Sequence, residues 1–164
     1  MRMKVYFELA WQRRYVALIE RFSNIIRGQI FGHTHNDNIQ IMRGITNKNI
    51  ISGIVYILPQ LGVFPSSNPS YRIFDLQTDN YAISNYHQYR LYLDEANKNM
   101  AVLPKWRLAY IFKEFYNVSS MEYGNIANAL ERMKTDKMFA ADLITQMMQE
   151  GPKGVELRYS ESMM

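Results

Sequence analysis

The chain has 164 residues, a formal net charge of +4 and no cysteine. Hydrophobic residues make up 48% and charged residues 21%, which is enough apolar content for the core of one ordinary domain. The lack of cysteine excludes disulfides and cysteine-based zinc sites. Lys and Arg are scattered, whereas a nucleic-acid interface needs a concentrated basic face, so we expect no nucleic-acid partner. We also expect no transmembrane segment and see no signal-peptide pattern.

The first part of the chain predicts one helix followed by about five strands. Apolar residues recur at helical spacing over 12–27, and Gly28 suits the end of that helix. Apolar runs and alternating patterns then indicate a sheet, with loops where Pro and Asn cluster. Strands are predicted over 29–31, around Ile39 and Ile41, and over 53–61, 71–77 and 81–93.

The character of the sequence changes after Leu93, where helical patterns replace strand patterns. A helix is predicted over 103–117, and Ser119 with Glu122 forms a capping-box pattern for a second helix. A third helix is predicted from about Asp136 to the stop signal Gly151-Pro152. The predicted fold is therefore α/β. It has a sheet domain over 1–93, a small helical region over 94–152 and a disordered tail over 153–164.

Two of the three histidines, His33 and His35, follow the short strand and Gly32. At a turn the two rings can diverge, and neutral imidazole is the commonest metal ligand in proteins. Two metal ions about 3.5–4 Å apart can each accept one ring. Asn36 and Asp37 would then orient the rings through second-shell hydrogen bonds, or else act only as turn formers. The residues alone leave a metal site and a polar surface turn both open.

Several motifs in order resemble the acid sphingomyelinase-like phosphodiesterases of the calcineurin-like metallophosphoesterase superfamily. "GHTH" at 32–35 is similar to the last metal motif of that superfamily, G-H-x-H. "NPSYR" at 68–72 resembles the family segment NPGYR, and "YRLYLDEANK" at 89–98 resembles Y-x-L-N-L-T-x-A-N. "PKWRLAYIFKEFYNV" at 104–118 resembles the W-x-L-x-Y helix of the family. The resemblance runs from about Trp11 to Gln149 and so covers most of the chain.

The resemblance implies the C-terminal half of a metallophosphoesterase β-sandwich flanked by helices, followed by a helical region. It also implies hydrolysis of sphingomyelin or a related phosphodiester with two zinc ions. His33 would bind one zinc and His35 the other. The family is typically secreted or lysosomal, so the sequon at Asn117 is a candidate glycosylation site.

The sequence departs from the family in its remaining zinc ligands. The D-x-H, G-D and G-N-H motifs and a further histidine of the family have no counterpart here, and no catalytic residue is assigned. We therefore expect this isolated chain to bind zinc weakly and to be inactive. The alternative is a non-catalytic remnant or an interaction protein without metal. A sheet that lacks its usual partner strands should also expose apolar surface and favour self-association.

Three further features have two interpretations each. His87 matches no family ligand and is interpreted as a structural or surface residue. Arg72, which follows Tyr71, is expected to pair with Asp75 or a glutamate, the alternative being a contact with phosphate. The aromatic residues of 103–117 are expected in the core rather than as a lipid-facing stripe. They are Trp106, Tyr110 and Phe115.

Overall fold

The computed structural model describes residues 9–63, 67–98 and 101–151. Within these residues the fold is mixed α/β, which confirms the predicted class. Pro65, Pro152 and the predicted tail over 153–164 lie outside the described residues. In chain order the elements are α1 (Leu9–Arg21), β1 (Gln29–Phe31), β2 (Asn38–Arg43), β3 (Ile51–Ile57), β4 (Ser70–Leu76), β5 (Ile83–Leu91), α2 (Leu93–Ala96), β6 (Trp106–Ile111), α3 (Phe112–Tyr116), α4 (Tyr123–Glu131), a 3-10 turn (Arg132–Lys134) and α5 (Lys137–Met147).

The first sheet has three strands in the order β1-β3-β2. The central strand β3 is almost wholly buried, as its apolar run predicted. It pairs with β1 in parallel and with β2 in antiparallel fashion. Because β1 and β3 run in the same direction, the loops that follow them leave the sheet at the same edge.

The second sheet is antiparallel, with the order β4-β5-β6. Its central strand β5 alternates, and Tyr86, Gln88 and Arg90 point inward and are fully buried. Two of these three inward residues are polar, so this sheet must satisfy buried hydrogen-bonding groups from its neighbours. Those neighbours include the loop that follows β1, as described below.

One hydrophobic core joins the two sheets and the C-terminal helices. The rings of Tyr56 on β3 and Tyr86 on β5 meet edge to face, with centroids 6.1 Å apart. Helices α4 and α5 cover this contact with apolar side chains. The buried members of the core are Ile39, Ile54, Tyr56, Ile83, Tyr86, Tyr110, Phe112, Tyr116, Met121, Ile126, Ala129, Phe139 and Leu143.

The helix predicted over 103–117 is wrong for its first part, because Trp106–Ile111 forms strand β6 and only Phe112–Tyr116 is helical. Trp106, Leu108 and Tyr110 alternate as in a strand, while Trp106 and Tyr110, four residues apart, also have helical spacing, so the pattern fits both structures. Pairing with β5 selects the strand. A shift in register opposite Gln88 then turns Tyr110 into the core while Leu108 stays exposed. The second sheet thus continues past residue 93, and the predicted domain boundary there remains a prediction.

One predicted helix end and one predicted helix start are wrong, and another predicted helix start is confirmed. Helix α1 ends at Arg21 rather than near residue 27. The capping box at Ser119 does not form, since the hydroxyl of Ser120 accepts the Glu122 amide instead. Asp136 caps α5 as predicted, its carboxylate accepting the Phe139 amide at 2.9 Å.

Large apolar residues are exposed on α1, on β1 and on other parts of the described chain, as the sequence predicted for the sheet region. Trp11 and Leu18 of α1 and Ile30 and Phe31 of β1 are all exposed, and Ile19 is the one buried residue of α1. No helix in the described residues is long and apolar enough to span a bilayer.

Candidate functional site

The two histidines lie on the loop that follows β1, here called the histidine loop (residues 32–37). His33 and His35 are exposed, and both line an open surface pocket of about 410 Å³ together with residues 58–63. Residues 58–63 follow β3, so the pocket forms where the two parallel strands end. The predicted position of the histidines, on a loop at the carboxyl end of a strand, is confirmed. Such an edge is where α/β sheets commonly bind ligands.

The bend in the loop lies at the histidines themselves. His33 has φ of 79° and His35 has φ of 64°, both in the left-handed region. For a residue with a side chain this conformation costs on the order of 1–3 kcal/mol. The bend therefore follows Gly32, as the sequence predicted, and a Cβ at Gly32 would meet no atom within 4 Å. The loop therefore needs contacts from elsewhere to hold two strained residues.

Replacing Gly32 with alanine is expected to raise the free energy of unfolding by about 0.4–1 kcal/mol, because it restricts the unfolded chain without a clash. Gly44→Ala is the matched control. Its Cβ would lie 2.9 Å from the carbonyl oxygen of Asn47, so it should destabilise the protein by about 1–3 kcal/mol. Urea unfolding of both variants checks the difference, and a large loss of stability in Gly32→Ala would contradict the geometry of the loop.

The side chain of Asp37, the last residue of the histidine loop, turns inward into the second sheet. Its Oδ1 accepts Arg72 Nη2 at 2.5 Å, and its Oδ2 accepts the hydroxyl of Tyr110, also at 2.5 Å. The side chain of Arg72 is 0% exposed and that of Asp37 is 4% exposed. Arg72 also donates to Gln88 at 2.9 Å and stacks on the ring of Tyr86.

The charge state of this network follows from its contacts. Burial disfavours the Arg72 cation, but Tyr86, Asp37 and Tyr110 more than offset that effect and raise the pKa of Arg72. Burial, and then the Asp37 carboxylate, raise the pKa of Tyr110 well above its usual value. Tyr110 therefore stays protonated and acts as a donor to Asp37. The network fixes the loop to β4 and β6 through charge-assisted hydrogen bonds.

These contacts replace two predicted roles of Arg72. Arg72 pairs with Asp37 rather than with Asp75 or a glutamate, and its side chain is 0% exposed, which leaves it no surface on which to meet a phosphate. Asp75 instead bonds to His87, with Nε2 and Oδ2 2.9 Å apart, so His87 lies in a cross-strand pair on the second sheet. The ring-orienting roles of Asn36 and Asp37 remain predictions. Asn36 is exposed, while both carboxylate oxygens of Asp37 already have partners.

The segment after α5 forms a second set of anchors for the histidine loop. The amide of Asp37 donates to the carbonyl of Met147 at 3.2 Å. The side-chain amide of Gln149 donates to the carbonyl of His35. Asn68, in the "NPSYR" motif, donates to the carbonyl of Gln149 at 3.1 Å. The motif that resembles the family therefore supports the loop directly, through Arg72 on Asp37, and indirectly, through Asn68 on Gln149.

Sequence reasoning missed Asn68 and Gln149 as supports of the site. Asn68 lies in a segment predicted only as a loop, and Gln149 lies near a predicted helix end with no further signal. Arg72 was singled out, but for a pair with Asp75 or a glutamate or for a phosphate contact, and not for Asp37. No pattern in the sequence links these residues to His35, since 114 residues separate it from Gln149.

The remaining predicted features are dispersed over the molecule. Asn117 is exposed and caps the end of α3 in the left-handed conformation, far along the chain from the histidine loop. Tyr110 is buried and Phe115 packs against the core, as predicted. Trp106 is 39% exposed and packs edge-on against Tyr71, so the core prediction is wrong for this residue.

The metal-binding capacity of the described residues is incomplete. His33 and His35 supply imidazole nitrogens, the right kind of donor for zinc. However, the parts of the chain that the structure describes hold no group of three His, Cys, Asp or Glu side chains able to bind one ion. A catalytic zinc normally has three protein ligands. The donors thus fit zinc in kind but not in number.

Comparison with known proteins identifies the class to which this fold and loop belong. Residues 46–140 match the acid sphingomyelin phosphodiesterase C-terminal region, which is more than half of the chain. The chain belongs to this family, and the resemblance noted in its motifs is confirmed.

Several proteins similar to this chain are phosphodiesterases by name. Sphingomyelin phosphodiesterase A of Dictyostelium discoideum is 32% identical over 126 residues, which are 77% of this chain and 21% of that protein. Sphingomyelin phosphodiesterase of Bos taurus is 26% identical over 144 residues, 85% of this chain and 22% of that protein. Cyclic GMP-AMP phosphodiesterase SMPDL3A of Rattus norvegicus is 27% identical over 129 residues, 76% of this chain and 28% of that protein. The chain spans less than a third of each of these proteins.

Proposed function

We propose that this chain is the C-terminal part of a zinc-dependent phosphodiesterase, in which the histidine loop gives one imidazole to each of two zinc ions. In this proposal the two sheets are the C-terminal half of a metallophosphoesterase β-sandwich. The observation that carries the proposal is the exposure of His33 and His35 on a strained loop beside the pocket at the strand ends. Membership of the sphingomyelin phosphodiesterase family supports it.

The substrate, compartment and modification follow from the family and are part of the same proposal. Relatives named sphingomyelin phosphodiesterase favour a sphingolipid phosphodiester as substrate. A secreted or lysosomal location would fit that chemistry, and the exposed side chain of Asn117 would be accessible to glycosylation there.

The role of zinc in such a site would be to hold the phosphate and to activate water. The residues of this chain would bind the metal ions and hold the histidine loop in place. His33 and His35 would offer ring nitrogens, and Arg72 and Tyr110 hold the Asp37 end of their loop. Because the described donors do not complete a zinc site, we derive no catalytic step through the metal.

Zinc titration followed by NMR of the histidine rings tests the proposal. Zinc is expected to shift the ring signals of His33 and His35 at high concentration, because each ring is exposed and acts as a single ligand. The signals of His87, which is paired with Asp75, should not move. The variants His33→Ala and His35→Ala should each remove one of the two responses, and His87→Ala is the control. If zinc moved no ring signal, or only that of His87, the metal role would be wrong.

A non-catalytic interaction protein is the second candidate, and one observation favours it. Large apolar side chains on α1 and β1 are exposed, including Trp11 and Ile30, which suits association with another chain. Sedimentation of the purified chain over a range of concentrations would show whether it self-associates. Self-association without any zinc response would favour this candidate over the first.

A further inference from the structure

The turn that ends α5 has Gln149 at the position where glycine is usual. The Gln149 amide donates to the Gln146 carbonyl at 2.9 Å, and the Glu150 amide donates to the Thr145 carbonyl at 3.1 Å. This is the hydrogen-bond pattern of a Schellman motif, in which the residue after the cap is left-handed and is usually glycine. Here that residue is Gln149, with φ of 57°. A side chain in this conformation costs roughly 1–2 kcal/mol relative to glycine.

The side chain of Gln149 is not on the surface, where glutamine usually lies. It is 0% exposed and donates its amide to the carbonyl of His35. The backbone carbonyl of Gln149 accepts the side-chain amide of Asn68 at 3.1 Å, so Gln149 is fixed by the segment that precedes β4. The strained helix end thus places one buried donor against the backbone of a strained histidine.

A second hydrogen bond from the end of α5, at Met147, also holds the histidine loop. The Asp37 amide donates to the Met147 carbonyl at 3.2 Å, so the last turn of α5 contacts the histidine loop at two points. His33 and His35 both carry a side chain in the left-handed region, a conformation that costs free energy even for the residues that adopt it most readily. Contacts from outside the loop must supply that stabilisation.

We infer that Gln149 is a positioning residue for the histidine loop: it fixes the His35 carbonyl, and thereby the direction of both imidazoles, from the C-terminal end of α5. The inference rests on the proposed function of the loop as a ligand of zinc. A glycine would suit the helix end better, and it is absent because the side chain is needed to hold the loop.

Gln149→Gly tests this inference, because it relieves the strained helix end while it removes the donor. Tyr81→Gly is the matched control, since Tyr81 is also left-handed but its side chain is exposed in the β4–β5 turn. Global stability of Gln149→Gly should change little, as the gain at the helix end offsets the lost bond. Hydrogen exchange of the Asp37 amide should become roughly tenfold faster, the order expected for one buried hydrogen bond. The zinc concentration that half-shifts the His35 ring signals should rise about tenfold.

The separate readouts keep this inference distinct from the proposed function. Unchanged exchange in Gln149→Gly, or equal acceleration in Tyr81→Gly, would overturn the positioning role whatever zinc does. A lack of zinc response in the unmodified chain would overturn the metal role and the zinc part of the inference. Faster exchange in Gln149→Gly alone would still establish that Gln149 holds the loop. If the Gln149→Gly variant unfolds, all of its amides will exchange rapidly. The Gln149→Met variant, which keeps the side-chain volume, then gives the same test.

Discussion

Replacing Arg72 with methionine is expected to lower the free energy of unfolding by about 3–5 kcal/mol. The reason is that the Asp37 carboxylate would remain buried without its counter-charge. Methionine roughly preserves the volume of the side chain, so the effect reports charge and hydrogen bonding more than packing. Urea unfolding, monitored by the signal of the buried aromatic residues, measures the change.

The matched control is Arg107→Met, the same substitution in an exposed ion pair. Arg107 bonds to Glu95 at 2.9 Å, and both side chains are at least half exposed. Such pairs contribute about 0–1 kcal/mol, so this variant should unfold almost like the unmodified chain. Equal losses in the two variants would mean that the Asp37–Arg72 pair does not anchor the histidine loop to the second sheet.

The double variant Asp37→Leu with Arg72→Met gives a further check on the cause. Replacing a buried ion pair with apolar residues of similar size is often neutral or stabilising. The double variant should therefore be more stable than Arg72→Met alone, although the Tyr110 hydroxyl loses its acceptor. A double variant less stable than the single one would contradict the explanation by an unpaired buried charge.

The isolated chain, supplied with zinc, is expected to release no phosphocholine from sphingomyelin and no nitrophenol from bis-nitrophenyl phosphate. The expected loss of rate relative to a complete enzyme is large, because enzymes accelerate the hydrolysis of such esters by many orders of magnitude. The cause is the number of ligands. His33 and His35 would serve different metals, and the described residues supply no group of three donors. Two dications close together without bridging carboxylates would also repel each other strongly.

The measurement compares the purified chain with the His33→Ala, His35→Ala double variant, in acidic and in neutral buffer. Neither sample should exceed the rate with zinc alone. Turnover by the unmodified chain that disappears in the double variant would refute the expectation. It would show that further groups, from this chain or from a second copy, complete the metal site.

The sequence by itself determined the sheet-forming segments before residue 93, the family and the position of the histidine loop. Apolar runs and alternation predicted the strands around Val55 and Tyr86, because burial on one or both faces leaves a local pattern. The motif at 32–35 placed His33 and His35 after a strand, since a strand and the turn that follows it are neighbours in sequence. Local sequence patterns were therefore sufficient to predict the fold class and the candidate metal ligands.

The tertiary structure alone decided between strand and helix at 106–111 and revealed what holds the loop. Trp106 and Tyr110 fit both a helical and a strand period, and only pairing with β5 made that segment a strand. The hydrogen-bond partners of the Asp37 and Gln149 side chains are at least 35 residues away in sequence. A buried donor or acceptor takes whichever partner the packed chain brings to it, and no local periodicity encodes that choice. The strained backbone of the two histidines is stabilised by these distant contacts, so the geometry of the loop depends on the fold as a whole.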